Sequence, residues 1–213
     1  MRKITNAARM LNLRAARKNP SARRLPCLLL LSDATRLADP AAVLARLPSG
    51  AGVILRDYAN TGPASARLAH ARSLALSCRL RGLRLIVAGD ARFAIAAGAA
   101  GLHLPEWKVR QDAHRENALA RRRGLIVTAA CHSLAALRRA EALGADAALL
   151  APVLPTRSHP GGRVLGALRF AALVRQARLP VYALGGINGP RAARIAQSGA
   201  AGIAGIGFAA GGA

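Results

Sequence analysis

An α/β fold, a single (β/α)8 barrel of parallel strands, is what the sequence predicts, and three observations carry that expectation. Short apolar runs alternate with longer amphipathic stretches, and eight such units fill the 213 residues. The runs are continuously apolar, which suits parallel strands covered on both faces. A small-residue joint recurs in Gly98-Ala99-Ala100-Gly101-Leu102, Gly144-Ala145-Asp146-Ala147-Ala148 and Gly199-Ala200-Ala201-Gly202-Ile203. Each copy ends a helical stretch and enters an apolar run, where glycine provides the left-handed helix C-cap. A doubly wound open sheet is the runner-up. No G-x-G-x-x-G turn follows any run, which favours the closed barrel.

The first segment, 1–24, is expected to be a basic N-terminal extension to a barrel over 25–213. Residues 1–25 hold eight basic side chains and no acid, with Ile4, Ala8, Leu11 and Ala15 at helical spacing. A targeting leader would share that composition, but the rest of the chain is equally rich in arginine. Strands are then expected at Cys27–Leu31, Gly52–Leu55, Leu83–Ala88, Gly101–Leu104, Leu125–Ala129, Ala147–Leu150, Val181–Leu184 and Ala201–Ile206. Helices are expected at Ala64–Leu80, Leu134–Leu143, Leu168–Ala177 and Pro190–Ser198. The chain stops soon after the eighth run, so the last outer helix is expected to be missing or vestigial, with the N-terminal helix covering the surface it leaves.

Composition narrows the function classes. Lys+Arg 32 against Asp+Glu 9 gives a net charge of +23, yet lysine occurs only as Lys3, Lys18 and Lys108, and alanine is about a quarter of the chain. That pattern follows from a GC-rich coding sequence as readily as from nucleic-acid binding. Aromatics at 3% leave few stacking platforms, and no nucleic-acid-binding motif is present. No apolar run approaches the roughly 20 residues of a membrane span. Cys27, Cys78 and Cys131 are odd in number and widely spaced, which points to a reducing compartment without a disulfide framework or zinc site. The expected location is cytoplasmic. The expected partners are a phosphorylated small molecule and, in a homodimer, a second copy of the chain, with no sequence-specific nucleic acid and no membrane.

In such a barrel, function sits at the C-terminal ends of the strands. After runs seven and eight come Gly185-Gly186-Ile187-Asn188 and Gly205-Ile206-Gly207. Glycines there free the backbone to approach a ligand and aim N–H groups at a phosphate, and a helix starting at Asn188 or Pro190 would add its positive end. The loop after run six, Pro152-Val153-Leu154-Pro155-Thr156-Arg157-Ser158-His159-Pro160-Gly161-Gly162, interleaves hydroxyl donors with cations and also reads as an anion cradle. The other strand ends carry Arg56-Asp57-Tyr58, Gly89-Asp90-Ala91-Arg92, His103-Leu104-Pro105-Glu106 and Cys131-His132-Ser133.

From Leu25 to Phe208 this sequence resembles the thiamin phosphate synthase family and its relative, thiazole tautomerase. The resemblance rests on Pro152 to His159, on Ala183-Leu184-Gly185-Gly186-Ile187, and on the span from Gly89-Asp90-Ala91-Arg92 to Gly101-Leu102-His103-Leu104. It implies a (β/α)8 barrel acting in thiamin biosynthesis, where the synthase joins an aminopyrimidine diphosphate to a thiazole phosphate and releases diphosphate with the help of Mg²⁺. It also implies a thiazole phosphate pocket built from Thr156, Arg157, Ser158, Gly186, Ile206 and Gly207, with Gly207 in place of the usual serine.

The diphosphate half departs further from the family pattern. Of Gln-x-Arg-x-Lys after strand two only Arg56 remains, and Asn-Asp after strand three reads Gly89-Asp90. The second metal carboxylate falls on Lys108, the serine after strand five on Ala130, and the lysine of the strand-six loop on His159. The resemblance thus implies Arg56, His159 and Lys108 for the diphosphate, and Mg²⁺ on Asp90, with Glu106 or Asp112 as candidates to replace the lost carboxylate. Catalytic roles fall to Arg56 and to His132, whose counterpart in the tautomerases is an acid/base; a histidine is suited to that at neutral pH. A metal-independent tautomerase and a non-catalytic phosphate-binding barrel are the alternatives. His70 and His114 are expected at the surface and Trp107 in packing. Cys131 and His132, as strand neighbours, point opposite ways and form no dyad.

Overall fold

The computed structural model describes residues 1–33, 37, 39–56, 62–111, 113–156 and 161–208. Eight parallel strands close into one barrel in sequence order, with the first strand pairing the last. They are β1 (Leu28–Leu31), β2 (Gly52–Leu55), β3 (Arg84–Ala88), β4 (Gly101–Leu104), β5 (Ile126–Cys131), β6 (Ala147–Leu150), β7 (Val181–Leu184) and β8 (Gly202–Gly205). All the residues of β1, β2, β4 and β6 are buried, as two-sided coverage of continuous apolar runs requires.

Outside the strands lie α1 (Arg2–Lys18), α2 (Ala64–Leu80), α3 (Ala91–Ala96), α4 (Glu106–Arg110), α5 (His114–Arg122), α6 (Leu134–Leu143) and α7 (Gly166–Gln176). No described helix is long and apolar enough to cross a membrane. Two of the connections hold 3-10 turns, at Pro40–Arg46 and Arg191–Ile195. The second corrects the expected helix at Pro190–Ser198. The turn is too short to sum a useful dipole, because the macrodipole needs several aligned peptide units. The place for a last outer helix falls in 209–213, outside the described residues.

The repeated joint turns the chain with a left-handed glycine each time and closes a helix cap in the first two copies. Gly98, Gly144 and Gly199 all have positive φ (68°, 80° and 79°), and Ala99 and Ala145 donate back to Ala94 O and Ala140 O in the six-to-one bond of a Schellman cap. The chain then enters the sheet by donating to the preceding strand, from Ala100 to Leu85 O, Asp146 to Val127 O and Ala201 to Val181 O.

α1 lies across the β8–β1 side of the barrel. Its Ile4, Ala8 and Leu11 join the same buried apolar cluster as the strand side chains, and Ala15 and Ala16 pack with Ala22 and Ala201. Asn12 Nδ2 donates to Ala22 O at 2.9 Å and to Ala201 O at 3.1 Å, and Arg14 donates to Ala196 O at 2.7 Å. The buried stripe at four-residue spacing fixes which face turns inward, and the basic residues Arg2, Lys3, Arg9, Arg17 and Lys18 are left in solvent.

Candidate active site

The C-terminal rim of the barrel divides into two halves. On the β6–β7–β8 side, β6 continues its pairing beyond the sheet, with Val153 N–H donating to Leu184 O at 2.9 Å and Leu154 N–H to Gly185 O at 3.1 Å. This ladder presses the strand-six loop onto the turn after β7. Gly186 sits there at φ 69°, and a Cβ placed on it would lie 2.5 Å from Pro155 O and 2.6 Å from Leu154 O. The position is therefore closed to any side chain by backbone atoms that cannot swing away. Gly185, at φ 100°, is less tightly packed, with a built Cβ 3.1 Å from Pro152 Cα. One strand over, Leu184 pairs with Ala204, which brings Ile206 and Gly207 to the same rim as the Gly186 turn. Ile206 is buried. Gly207 is exposed, with nothing within 4 Å of a Cβ built on it. Thr156 closes the described part of the loop and is partly buried. Arg157, Ser158 and His159 lie outside the described residues.

This half also holds a residue that the sequence did not single out. Arg191 Nη1 donates to Pro155 O at 3.3 Å and to Gly186 O at 3.4 Å, while its backbone N–H donates to Asn188 Oδ1 at 3.0 Å. One guanidinium thus bridges the strand-six loop and the strand-seven turn. The Asn188–Arg191 spacing, a side-chain acceptor three residues before an amide donor, was a readable turn signal. Nothing in the sequence told where the arginine side chain would reach.

The other half is built on β1 to β5. Arg56, just beyond β2, folds back onto the end of β1. Its Nε donates to Ser32 O at 2.7 Å, and its Nη2 lies 3.3 Å from Asp33 Oδ2 in an ion pair. Its own N–H donates to Ser32 Oγ at 2.7 Å. Ala88, His103 and Thr128 follow on one rung across β3, β4 and β5. His103 is buried, with Nδ1 2.9 Å from Thr128 Oγ1. Burial first, and the Arg56 charge second, push its pKa down to about 3, so it is a neutral polar group in this wall.

Asp90 caps α3, accepting from Phe93 N–H at 2.7 Å. Beside it, Glu116 reaches in from α5. Its Oε2 accepts from Ala91 N–H at 2.7 Å, and its Oε1 pairs with Lys108 Nζ at 3.3 Å. Lys108 is therefore joined to the Asp90 corner through a glutamate that the sequence argument had not placed. Glu106 is engaged as well, by Arg110 at 3.1 Å, by Arg139 at 3.5 Å, and by His132 Nε2 at 3.7 Å. His132 follows β5 directly and donates from Nδ1 to Ala151 O at 2.9 Å, which leaves Nε2, beside Glu106, as the nitrogen on the rim. Cys131, its neighbour, is buried with its thiol pushed up to about 12, chiefly by desolvation, and is inert. Ser133 caps α6 through Ala136 N–H. His70 and His114 are exposed. Trp107 is 51% exposed with Lys108 Nζ 5.8 Å from its ring centre, which corrects the expectation that it packs.

Mg²⁺ asks for a near-octahedral set of oxygen ligands. Here Asp90 is an exposed helix cap, both Glu116 oxygens are engaged, one of them by an ammonium, and Glu106 is held by two arginines. Asp57 and Asp112 lie outside the described residues, and among the described ones no cluster of three or more His, Cys, Asp or Glu could hold a metal. The described donors do not fit the ion.

The family model for thiamine monophosphate synthase matches residues 28–208 of the chain. The thiamine-phosphate synthase of Thiobacillus denitrificans is 36% identical over 167 residues, covering 77% of this chain and 76% of that one. The enzyme of the same name from Bacillus velezensis is 29% identical over 172 residues, covering 78% and 75%. Among solved structures, a thiamine phosphate pyrophosphorylase from Pyrococcus furiosus superposes with a TM-score of 0.73 at 25% identity, covering 91% of each chain.

Proposed function

The chain belongs to the thiamine monophosphate synthase family, a family of thiamine biosynthesis, and from that premise we propose that it binds a thiazole phosphate on the β6–β7–β8 rim and joins it slowly to an aminopyrimidine diphosphate. The observation that carries the reading is the Gly186 turn. Its backbone is packed against Pro155 O and Leu154 O with no room for a Cβ, which is how a chain holds amides in place for an anion without side chains in the way. Gly207 keeps its amide although the serine hydroxyl is gone.

On the opposite side, the leaving diphosphate meets fixed cations. Arg56 stands at the β2 end, tied to Ser32 and Asp33, and Lys108 stands at the Asp90 corner, tied to Glu116. Each partner carboxylate offsets part of the positive charge that a departing diphosphate needs. Losing about 4 kcal/mol of transition-state stabilisation costs about a thousandfold in rate, so slow turnover is the expectation. The test is diphosphate release from purified protein given both substrates, with and without Mg²⁺. Slow release that requires the thiazole phosphate and changes little on chelation supports the reading. Vigorous turnover abolished by chelation, or no binding of thiazole phosphate at all, overturns it.

One observation favours a second reading, a thiazole tautomerase. The His132 ring is oriented by its Nδ1–H donation to Ala151 O, which turns Nε2 to the rim, where it lies 3.7 Å from the Glu106 carboxylate. A histidine held in one tautomer is suited to moving a ring proton, and that reaction needs the phosphate pocket but no diphosphate half. Loss of isomerisation in His132→Asn with thiazole phosphate binding retained distinguishes this reading from the first.

A further inference from the structure

We propose that Arg191 makes the β6–β7 rim selective for a doubly charged phosphate monoester, by pairing with the phosphate while it ties the strand-six loop to the strand-seven turn. The proposal rests on the reading of that rim as a phosphate site.

Arg191 touches the two backbone pieces that define the rim. Its Nη1 is shared between Pro155 O at 3.3 Å and Gly186 O at 3.4 Å. These contacts are long, and both lie on one nitrogen of a group with five N–H donors. The side chain is exposed, and none of the described ion pairs includes it. The described carboxylates are engaged elsewhere. Asp33 is on Arg56, Glu106 on Arg110 and Arg139, Glu116 on Lys108, and Glu141 on Arg138. Nε and Nη2 of Arg191 are therefore uncommitted among the described residues, on a guanidinium in contact with the carbonyl of Gly186. An anion seated on amides around Gly186 and Gly207 comes within the span of a guanidinium whose planar fork matches phosphate oxygens.

The same geometry explains how the rim can manage with Gly207. A serine there would give one neutral donor, whereas Arg191 gives a charged one from the neighbouring turn. Charge-assisted bonds are roughly twice as strong as neutral ones. Selectivity follows, because a fixed cation discriminates a dianion from a monoanion or an alcohol where a neutral hydroxyl does so weakly.

The test compares wild type, Arg191→Lys and Arg191→Met for binding of the thiazole phosphate and of its dephosphorylated alcohol by calorimetry. Wild type is expected to prefer the phosphate, with affinity rising through the second phosphate ionisation near pH ~6. Arg191→Met is expected to lose about 10- to 100-fold in phosphate affinity, with alcohol affinity unchanged and the pH rise flattened. Arg191→Lys keeps the charge and is expected to fall between the two. An Arg191→Met variant that keeps the wild-type ratio of phosphate to alcohol affinity overturns the proposal and leaves the rim's phosphate reading standing. Equal loss for both ligands marks a structural tie only and also overturns it. A wild type that shows no preference for the phosphate sinks the rim reading itself, and the proposal with it.

Discussion

Substituting Gly186 by alanine adds a single methyl group, and the structure shows what it meets. The new Cβ would stand 2.5 Å from Pro155 O, 2.6 Å from Leu154 O and 2.7 Å from Leu154 C, at a φ of 69°. A non-glycine residue in the left-handed region costs about 1–2 kcal/mol. Overpacking against immobile neighbours adds about 1–3 kcal/mol, since the obstructing atoms are backbone and the loop must move as a whole. That movement works against the Leu154 N–H bond to Gly185 O at 3.1 Å. The sum is about 2–5 kcal/mol, and at roughly 2–4 °C per kcal/mol for a domain of this size it lowers the melting temperature by about 4–20 °C. Gly207→Ala is the internal control for stability. Nothing lies within 4 Å of its Cβ, so its stability should change by no more than a surface substitution does, about 0.5 kcal/mol or roughly 1–2 °C. Thermal melts of both variants, with titration of thiazole phosphate into Gly186→Ala, provide the assay. We expect Gly186→Ala to melt lower and to bind at least about tenfold more weakly, the equivalent of ~1.4 kcal/mol. A Gly186→Ala protein with wild-type melting and affinity would refute the claim that the strand-six loop is locked against this turn.

Two other predictions test the opposite half of the rim. His103 takes a proton in the fold only near pH 3, against 6.5 for the ordinary side chain, so between those values the unfolded chain binds the extra proton. Stability is therefore expected to fall as the pH drops from 6.5 towards 3, by up to about 1.4 kcal/mol per pH unit from this residue; urea unfolding across that range should show a flatter slope in His103→Gln, and an unchanged slope would count against the assignment. Lys108→Asp replaces the ammonium on Glu116 with a third carboxylate near Asp90. Calorimetry should then detect tighter Mg²⁺ binding than in the wild type, and Mg²⁺ should raise the variant's melting point; no added heat in the variant would mean that Asp90, Glu116 and position 108 do not converge on one point.

The barrel was legible because its determinants are local and repeated. Gly52–Leu55, Gly101–Leu104, Ala147–Leu150 and Val181–Leu184 match the observed strands residue for residue, since each is an apolar run bounded by turn chemistry. The joint of Gly98, Gly144 and Gly199 announced itself by repetition. Pro190–Ser198 misled because its apolar spacing suits α and 3-10 turns alike over so few residues. The site was legible only where a backbone property mattered, as at Gly186. What could not be read were the partners of long side chains. Lys108 was expected at a diphosphate, yet its Nζ meets Glu116, eight positions on in another helix. Arg56 was read from its strand end, but its hold on Ser32 and Asp33 spans a barrel pairing, 24 and 23 residues distant in sequence. Such contacts depend on the closed fold and on rotamers, neither of which a strand-end pattern encodes.

The bond from Asn12 to Ala201 O joins residues 189 positions apart, and this has a bearing on how the protein is made. During translation α1 leaves the ribosome before any of the eight strands, with Ile4, Ala8 and Leu11 exposed, and the strand it covers against β1 is the last of the eight to emerge. At about 5–20 residues per second, that helix waits roughly ten to forty seconds for its partner. Ring closure between β1 and β8 cannot precede that moment, and pairings so distant in sequence are slow to form. The nascent chain therefore carries an open sheet edge and a bare apolar helix face together until β8 emerges. A nonsense codon removing only β8 would leave both exposed for good, so such a fragment should be a client of chaperones and proteases despite retaining seven of the eight strands.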